Sequence, residues 1–146
     1  MAQLDPEIRD VLHLLDMAIS RPIHTLTAIE AREVFAALRR PIDDLPRMHR
    51  IEDRAVDSGQ QSIPVRIYHP ENTRNLPALV WFHGGGWVLG DLDNANLPCQ
   101  EIAAQSGCVV ISVDYRLAPE APFPAAFDDC MAATQWAFDN ADSLGE

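Results

Sequence analysis

Four of the chain's seven glycines, Gly84, Gly85, Gly86 and Gly90, lie between His83 and Asp91. The apolar run Ala78 to Phe82 precedes them, so the cluster stands where a buried strand would end, the place at which α/β proteins bind ligands. Two chemistries would need glycine there. Amides at a helix start can hold phosphate, or successive amides can point at a carbonyl oxygen as it becomes negative. Consecutive glycines let the backbone turn sharply and keep side chains out of a substrate's way.

The phosphate reading has the outline of a dinucleotide site: strand, glycine loop, helix, and a second strand ending at Asp114. Its spacing fails. With Gly84 and Gly86 as the first pair, the third glycine belongs where Leu89 stands, and Gly90 comes one place late. Trp87 puts a large ring where pyrophosphate would approach, and the polar turn from Asp91 delays the helix. The oxyanion reading accounts for more of the residues. Loss of one donor from such a hole lowers turnover about 10²–10³-fold, which is reason enough for a loop built of glycine.

The elements that must hold this loop are of two kinds. Up to about Leu45 the chain reads as helical, with Ile8, Val11, Leu12, Leu15, Ala18 and Ile19 at helical intervals until Arg21-Pro22. Thr27 and Glu30 form a capping box for a second helix with the stripe Ala31, Val34, Phe35 and Leu38, and Pro41 and Pro46 bracket a linker. From about Arg50 the period becomes that of strands. Residues 50–57 and 63–69 surround a turn at Asp57-Ser58-Gly59, with Val65 and Ile67 on one face and Arg66 and Tyr68 on the other. That alternation suits an antiparallel pair at a sheet margin.

Ala78 to Phe82 and Cys108 to Val113 are nearly continuous apolar runs, as in parallel strands covered by helices on both faces. A helix from about Asn94 to Ser106 joins them, with Pro98 near its start and Gly107 at its stop. A last helix follows Pro119, Pro122 and Pro124, with the stripe Phe127, Cys130, Met131, Thr134 and Ala137 or Phe138. The expected class is α/β, as residues 1–45 of helix followed by residues 46–146 of strand–helix alternation.

Composition narrows the partners. A formal charge of −11, with arginine but no lysine, offers no basic stripe for nucleic acid. No run reaches the roughly 18 apolar residues of a membrane helix, and the opening MAQLDPEIRD lacks the marks of a secretory signal, which makes the cytoplasm the expected compartment. Cys99, Cys108 and Cys130 suit reduced, packed thiols, and His13, His24, His49, His69 and His83 show no metal-binding spacing. Neither metal nor cofactor is expected.

His83-Gly84-Gly85-Gly86-Trp87, then Gly90-Asp91 and Val113-Asp114-Tyr115-Arg116-Leu117-Ala118-Pro119-Glu120, resembles the hormone-sensitive-lipase-like α/β-hydrolases, a family of carboxylic ester hydrolases. The likeness continues through Phe123-Pro124-Ala125-Ala126 and Asp128-Asp129. In such lipases and esterases the H-G-G-G motif supplies part of the oxyanion hole. The resemblance implies the amino-terminal half of an α/β-hydrolase sheet, with the first helices as part of a cap. It makes Gly85 and Gly86 the donors, with His83 and Gly84 shaping the loop. His83 is then an orienting residue and not a general base. Trp87 lines the acyl pocket or serves as a core aromatic. For Asp114, Arg116 and Glu120, internal ion pairs that fix their loop are expected, and Asp128 and Asp129 offset a helix dipole.

Acyl transfer also needs a nucleophile, a base and an acid. The family carries them after this point, beginning with G-x-S-x-G, and Ser20, Ser58, Ser62, Ser106, Ser112 and Ser143 all lack that glycine frame. Two expectations follow. Either these residues belong to an esterase whose triad lies in the remaining half of the domain, with G-x-S-x-G roughly 10 to 15 residues past Glu146, or the chain is a non-catalytic remnant that binds a partner. The first is preferred, because the sheet needs further strands to cover it. A small ester substrate and the rest of the hydrolase are the expected partners, and a homo-oligomer is compatible with both.

Overall fold

The computed structural model describes residues 4–19, 21–39, 43–59, 61–73 and 75–144. The chain divides into two compact units, Met1–Arg39 and Arg40–Glu146. In the first, α1 spans Pro6–Ala18 and starts at Asp5, whose carboxylate accepts from the Glu7 amide at 2.9 Å. Pro6 takes the first helical position, where a missing N–H is harmless. A single 3₁₀ turn, Ile23–Thr25, leads to α2, Ala28–Ala37. The expected capping box is present: Glu30 Oε2 accepts from the Thr27 amide at 2.7 Å, and Thr27 Oγ1 accepts from the Glu30 amide at 3.3 Å. Ala31 is buried on α2, whereas Ile8, Val11, Leu12 and Leu15 of α1 remain exposed. Ser20 and Pro41 lie outside the described residues.

The second unit is a four-stranded mixed sheet in the order β1-β2-β4-β3, built from β1 (Arg50–Asp57), β2 (Ser62–His69), β3 (Ala78–Phe82) and β4 (Val109–Val113). β1 and β2 form the antiparallel hairpin, β2 runs antiparallel to β4, and β3 runs parallel to β4 with α3 (Asn96–Ser106) as the crossover. Gly107 closes α3 in the left-handed conformation at φ 69°, its amide returning to the Ala103 carbonyl at 3.0 Å.

Helices cover both faces. On one, Val56, Ile63, Val65, Ile67, Val109, Ile111 and Val113 pack with Ala126, Ala133 and Ala137 of α4, which spans Ala125–Asp139, and with Leu144 of the short α5, Ala141–Leu144. On the other, Tyr68 and Val110 pack against Ala95, Cys99 and Ala103 of the α3 region. Full burial of each such valine or isoleucine stabilises the fold by about 1.5–3 kcal/mol, so these side chains anchor the strand ends that carry the loops.

Three details differ from the sequence reading. β2 is an interior strand, so only β1 forms that margin, and Tyr68 is fully buried under α3 with its hydroxyl donating to Asn96 Oδ1 at 3.1 Å. Of the two apolar runs, β4 is buried throughout but β3 is the outermost strand, with Ala78 and Phe82 exposed. The third concerns α4, where the large residues face away from the core: Phe127 is 58% exposed and Phe138 79%. The face against the sheet carries Ala126, Asp129, Ala133 and Ala137, because small side chains let the helix axis approach the strands closely.

Candidate functional site

The site begins where β3 ends. Past Phe82 the chain turns through residues 84–89 without forming a helix, and α3 starts only at Asn96. A phosphate held at a helix N-terminus would need that helix to start at the glycines, so the dinucleotide reading loses its geometric basis.

The carbonyls of His83, Gly84 and Gly85 each have a partner. The His83 carbonyl accepts from the Tyr115 hydroxyl at 2.5 Å, and the Gly84 carbonyl accepts from His83 Nδ1 at 2.9 Å. The Gly85 carbonyl accepts from the amides of Leu89 at 2.9 Å and Val88 at 3.2 Å. The peptide bonds here are trans, so a held carbonyl also sets the direction of the amide that follows it. Among the described residues, the amides of Gly85 and Gly86 have no acceptor.

Two glycines are required by close approach as well as by backbone angle. At Gly85, φ is 135° and a Cβ would stand 2.0 Å from the Leu89 carbonyl oxygen. At Gly90, φ is 101° and a Cβ would lie 2.2 Å from His83 Nδ1. Gly84 has open space where a Cβ would go, and the residue lines the adjoining cavity.

His83 is 7% exposed and stacks on Tyr115, with ring centroids 4.3 Å apart and planes 16° from parallel. Because a carbonyl only accepts, Nδ1 carries a proton, and Nε2 is buried and unpartnered among the described residues. Burial pushes the Tyr115 phenol above its usual range, so it remains a neutral donor at physiological pH.

Trp87 adopts φ 61°, is 67% exposed, and accepts from the Ala118 amide at 2.8 Å through its carbonyl. It stands between two recesses. One, about 250 Å³, is lined by Phe82, residues 83–87, Tyr115 and Cys130; the other, about 580 Å³, is walled by Gly86, Trp87, Phe123, Phe127 and Cys130 with neighbouring alanines. Apolar walls beside open amides suit a ligand with a hydrocarbon part and one polar carbonyl. Among the described residues, no serine lines either recess. Burial raises the Cys130 thiol to about 11, which keeps it protonated and poorly nucleophilic.

Of the charges after β4, Arg116 makes the expected internal ion pair. Arg116 meets Asp129 in a bidentate pair, Nη2 to Oδ1 at 2.8 Å and Nε to Oδ2 at 2.9 Å, and the Arg116 amide donates to Oδ2 at 2.9 Å. Gln61 Nε2 donates to Oδ1 as well. Asp129 is therefore a buried acceptor that ties α4 to the loop after β4 and to the β1–β2 turn, not a surface charge offsetting a dipole; Asp128 keeps the first-turn position. A clue was available in the sequence, since Asp129 recurs with Ala126, Ala133 and Ala137 on one helical face. Asp114 has no ion pair among the described residues, and burial, reinforced by Asp91 and Asp93, pushes its carboxyl upward against the opposing influence of His83 and Arg66. Among the described residues, no group of three or more His, Cys, Asp or Glu could hold a metal, and no helix is long and apolar enough to cross a membrane.

The family model described as the α/β hydrolase fold matches residues 79–145. The chain is 44% identical to carboxylesterase NlhH of Mycobacterium tuberculosis over 146 residues, covering 96% of this chain and 44% of that protein. With the arylesterase of Saccharolobus solfataricus it shares 35% identity, covering 97% of this chain and 46% of the relative. The solved hyperthermophilic esterase of Pyrobaculum calidifontis superposes with a TM-score of 0.86 at 37% identity, over 99% of this chain and 46% of that one. The chain thus spans less than half the length of these relatives. With the glycine loop after β3, the mixed sheet and these similarities together, the chain has the α/β-hydrolase fold and matches hormone-sensitive-lipase-like esterases over the part of their length that it spans.

Proposed function

We propose that these residues supply the oxyanion-binding loop, and in the first unit part of the cap, of a carboxylic ester hydrolase whose nucleophilic serine, acid and histidine lie in the rest of the hydrolase domain. The observation that carries this reading is the pair of open amides at Gly85 and Gly86, held in direction by engaged carbonyls and set beside an apolar recess. The names of the relatives, carboxylesterase and arylesterase, agree with it.

In this mechanism the serine hydroxyl gives its proton to the histidine of the remaining half as its oxygen bonds to the ester carbonyl carbon, and the displaced π electrons move onto the carbonyl oxygen. The amides of Gly85 and Gly86 donate to that oxyanion, an interaction stronger in the transition state than in the bound ester. Collapse expels the alcohol, which takes that proton from the histidine, and water, passing a proton to the same histidine, then attacks the acyl-enzyme to release the acid and return the proton to serine. His83 contributes by holding the Gly84 carbonyl and takes no proton from the nucleophile. The hydrocarbon part of a small ester occupies the recesses flanked by Trp87. The reaction as written needs no metal or cofactor, and cytoplasmic residence belongs to the same reading.

The test is hydrolysis of short-chain p-nitrophenyl esters by the whole protein and by residues 1–146 alone. The whole protein should turn over and the piece should not. Inactivity of the whole would favour the binding-protein alternative, and serine-dependent turnover by the piece would show that the nucleophile lies within it.

A further inference from the structure

We propose that Tyr115 is a positioning residue for the oxyanion loop, acting through His83 on the amide of Gly85. The proposal rests on the esterase reading above and deepens it. Tyr115 holds His83 at two points: its hydroxyl donates to the His83 carbonyl at 2.5 Å, and its ring stacks on the imidazole at 4.3 Å. The imidazole in turn donates from Nδ1 to the Gly84 carbonyl at 2.9 Å. That carbonyl belongs to the peptide unit whose N–H is the Gly85 donor, and the unit is planar and trans, so what holds the oxygen also aims the hydrogen.

The second donor is held differently. The amide of Gly86 shares its peptide with the Gly85 carbonyl, which the Val88 and Leu89 amides hold within the local turn. Tyr115 therefore governs one donor and leaves the other to the backbone. Its place 32 residues away, just after β4, makes the aim of Gly85 depend on the register of β3 against β4, where Phe82 pairs with Val113. Gly90 completes the arrangement, because any side chain there would collide with Nδ1.

Tyr115→Phe in the full-length enzyme removes the hydroxyl and keeps the ring. We expect kcat for a short-chain ester to fall about tenfold, a part of the 10²–10³ lost with a whole donor, and KM to stay within about twofold, the pattern of an interaction made only in the transition state. Affinity for a trifluoromethyl ketone, whose serine adduct carries the oxyanion, should fall by the same factor as kcat/KM. Replacing Tyr115 with 3-fluorotyrosine, which keeps ring and hydroxyl, should preserve the wild-type kcat. The proposal is overturned by an unchanged kcat, by a loss confined to KM, by unaltered ketone affinity, or by a Phe variant that does not fold, which would make the hydroxyl a need of the fold. It is overturned equally if the fluorotyrosine enzyme loses as much as the Phe variant. A wild-type enzyme that neither hydrolyses esters nor forms the ketone adduct would instead sink the esterase reading itself.

Discussion

Two loops leave the carboxyl ends of the adjacent parallel strands β3 and β4, and they treat their polar groups in opposite ways. After β4, the Arg116 amide and guanidinium and the Asp129 carboxylate satisfy one another, and Gln61 joins them. After β3, the carbonyls of His83, Gly84 and Gly85 are engaged while the amides of Gly85 and Gly86 are open. A fully satisfied network stabilises a fold and leaves no polar group to act on a ligand. A loop whose acceptors are taken and whose donors are open is rigid yet able to bind negative charge. The first loop supports the second, since the Ala118 amide holds the Trp87 carbonyl and Tyr115 holds that of His83.

The contrast predicts which loop fails in which way. Gly85→Val should have the largest effect, because its Cβ would stand 2.0 Å from the Leu89 oxygen and the turn that aims the Gly86 donor and contains the Gly85 one must open. In the full-length enzyme we expect kcat to fall by at least about 10²–10³, with a smaller change in KM. An enzyme of normal kcat would remove the distinction between the loops.

Asp129→Ala should act on the opposite quantity. It leaves the Arg116 amide and the Gln61 side chain without their acceptor, and we expect about 1–3 kcal/mol of lost stability in urea unfolding, the range for a buried hydrogen-bonding group that loses its partner. If the loss appears in kcat and not in the unfolding midpoint, the loop after β4 is more than a scaffold.

The smallest effect is a pH dependence at His69, far from both loops in the hairpin. Burial lowers its pKa below 6.5, so the folded state prefers the neutral ring. Its contribution to stability is complete above pH 6.5 and is lost as pH falls through the lower folded value. Urea midpoints of the wild type should therefore decline on acidification from pH 7, and His69→Gln should flatten that decline. An unchanged slope in the variant would assign the titration to another group.

Much of this was legible before any coordinates. The apolar runs placed β3 and β4, Thr27 and Glu30 placed the start of α2, and Gly107 marked the end of α3, because each rests on neighbours within a few residues. The faces of α4 were harder to read. Size suggested Phe127, Met131 and Phe138 for the core, whereas close packing on the sheet selected the alanine face. Tyr68 was equally misleading, since alternation within one hairpin does not reveal that α3 will cover its second face.

What the sequence alone determined is the chemistry available: glycines whose amides are unobstructed, a histidine before them, and strands apolar enough to bury. Which amides stay open was decided only by the tertiary structure. Their direction depends on carbonyl partners such as the Tyr115 hydroxyl, 32 residues from His83, and hydrogen bonds between such distant residues exist only once parallel strands have brought them side by side.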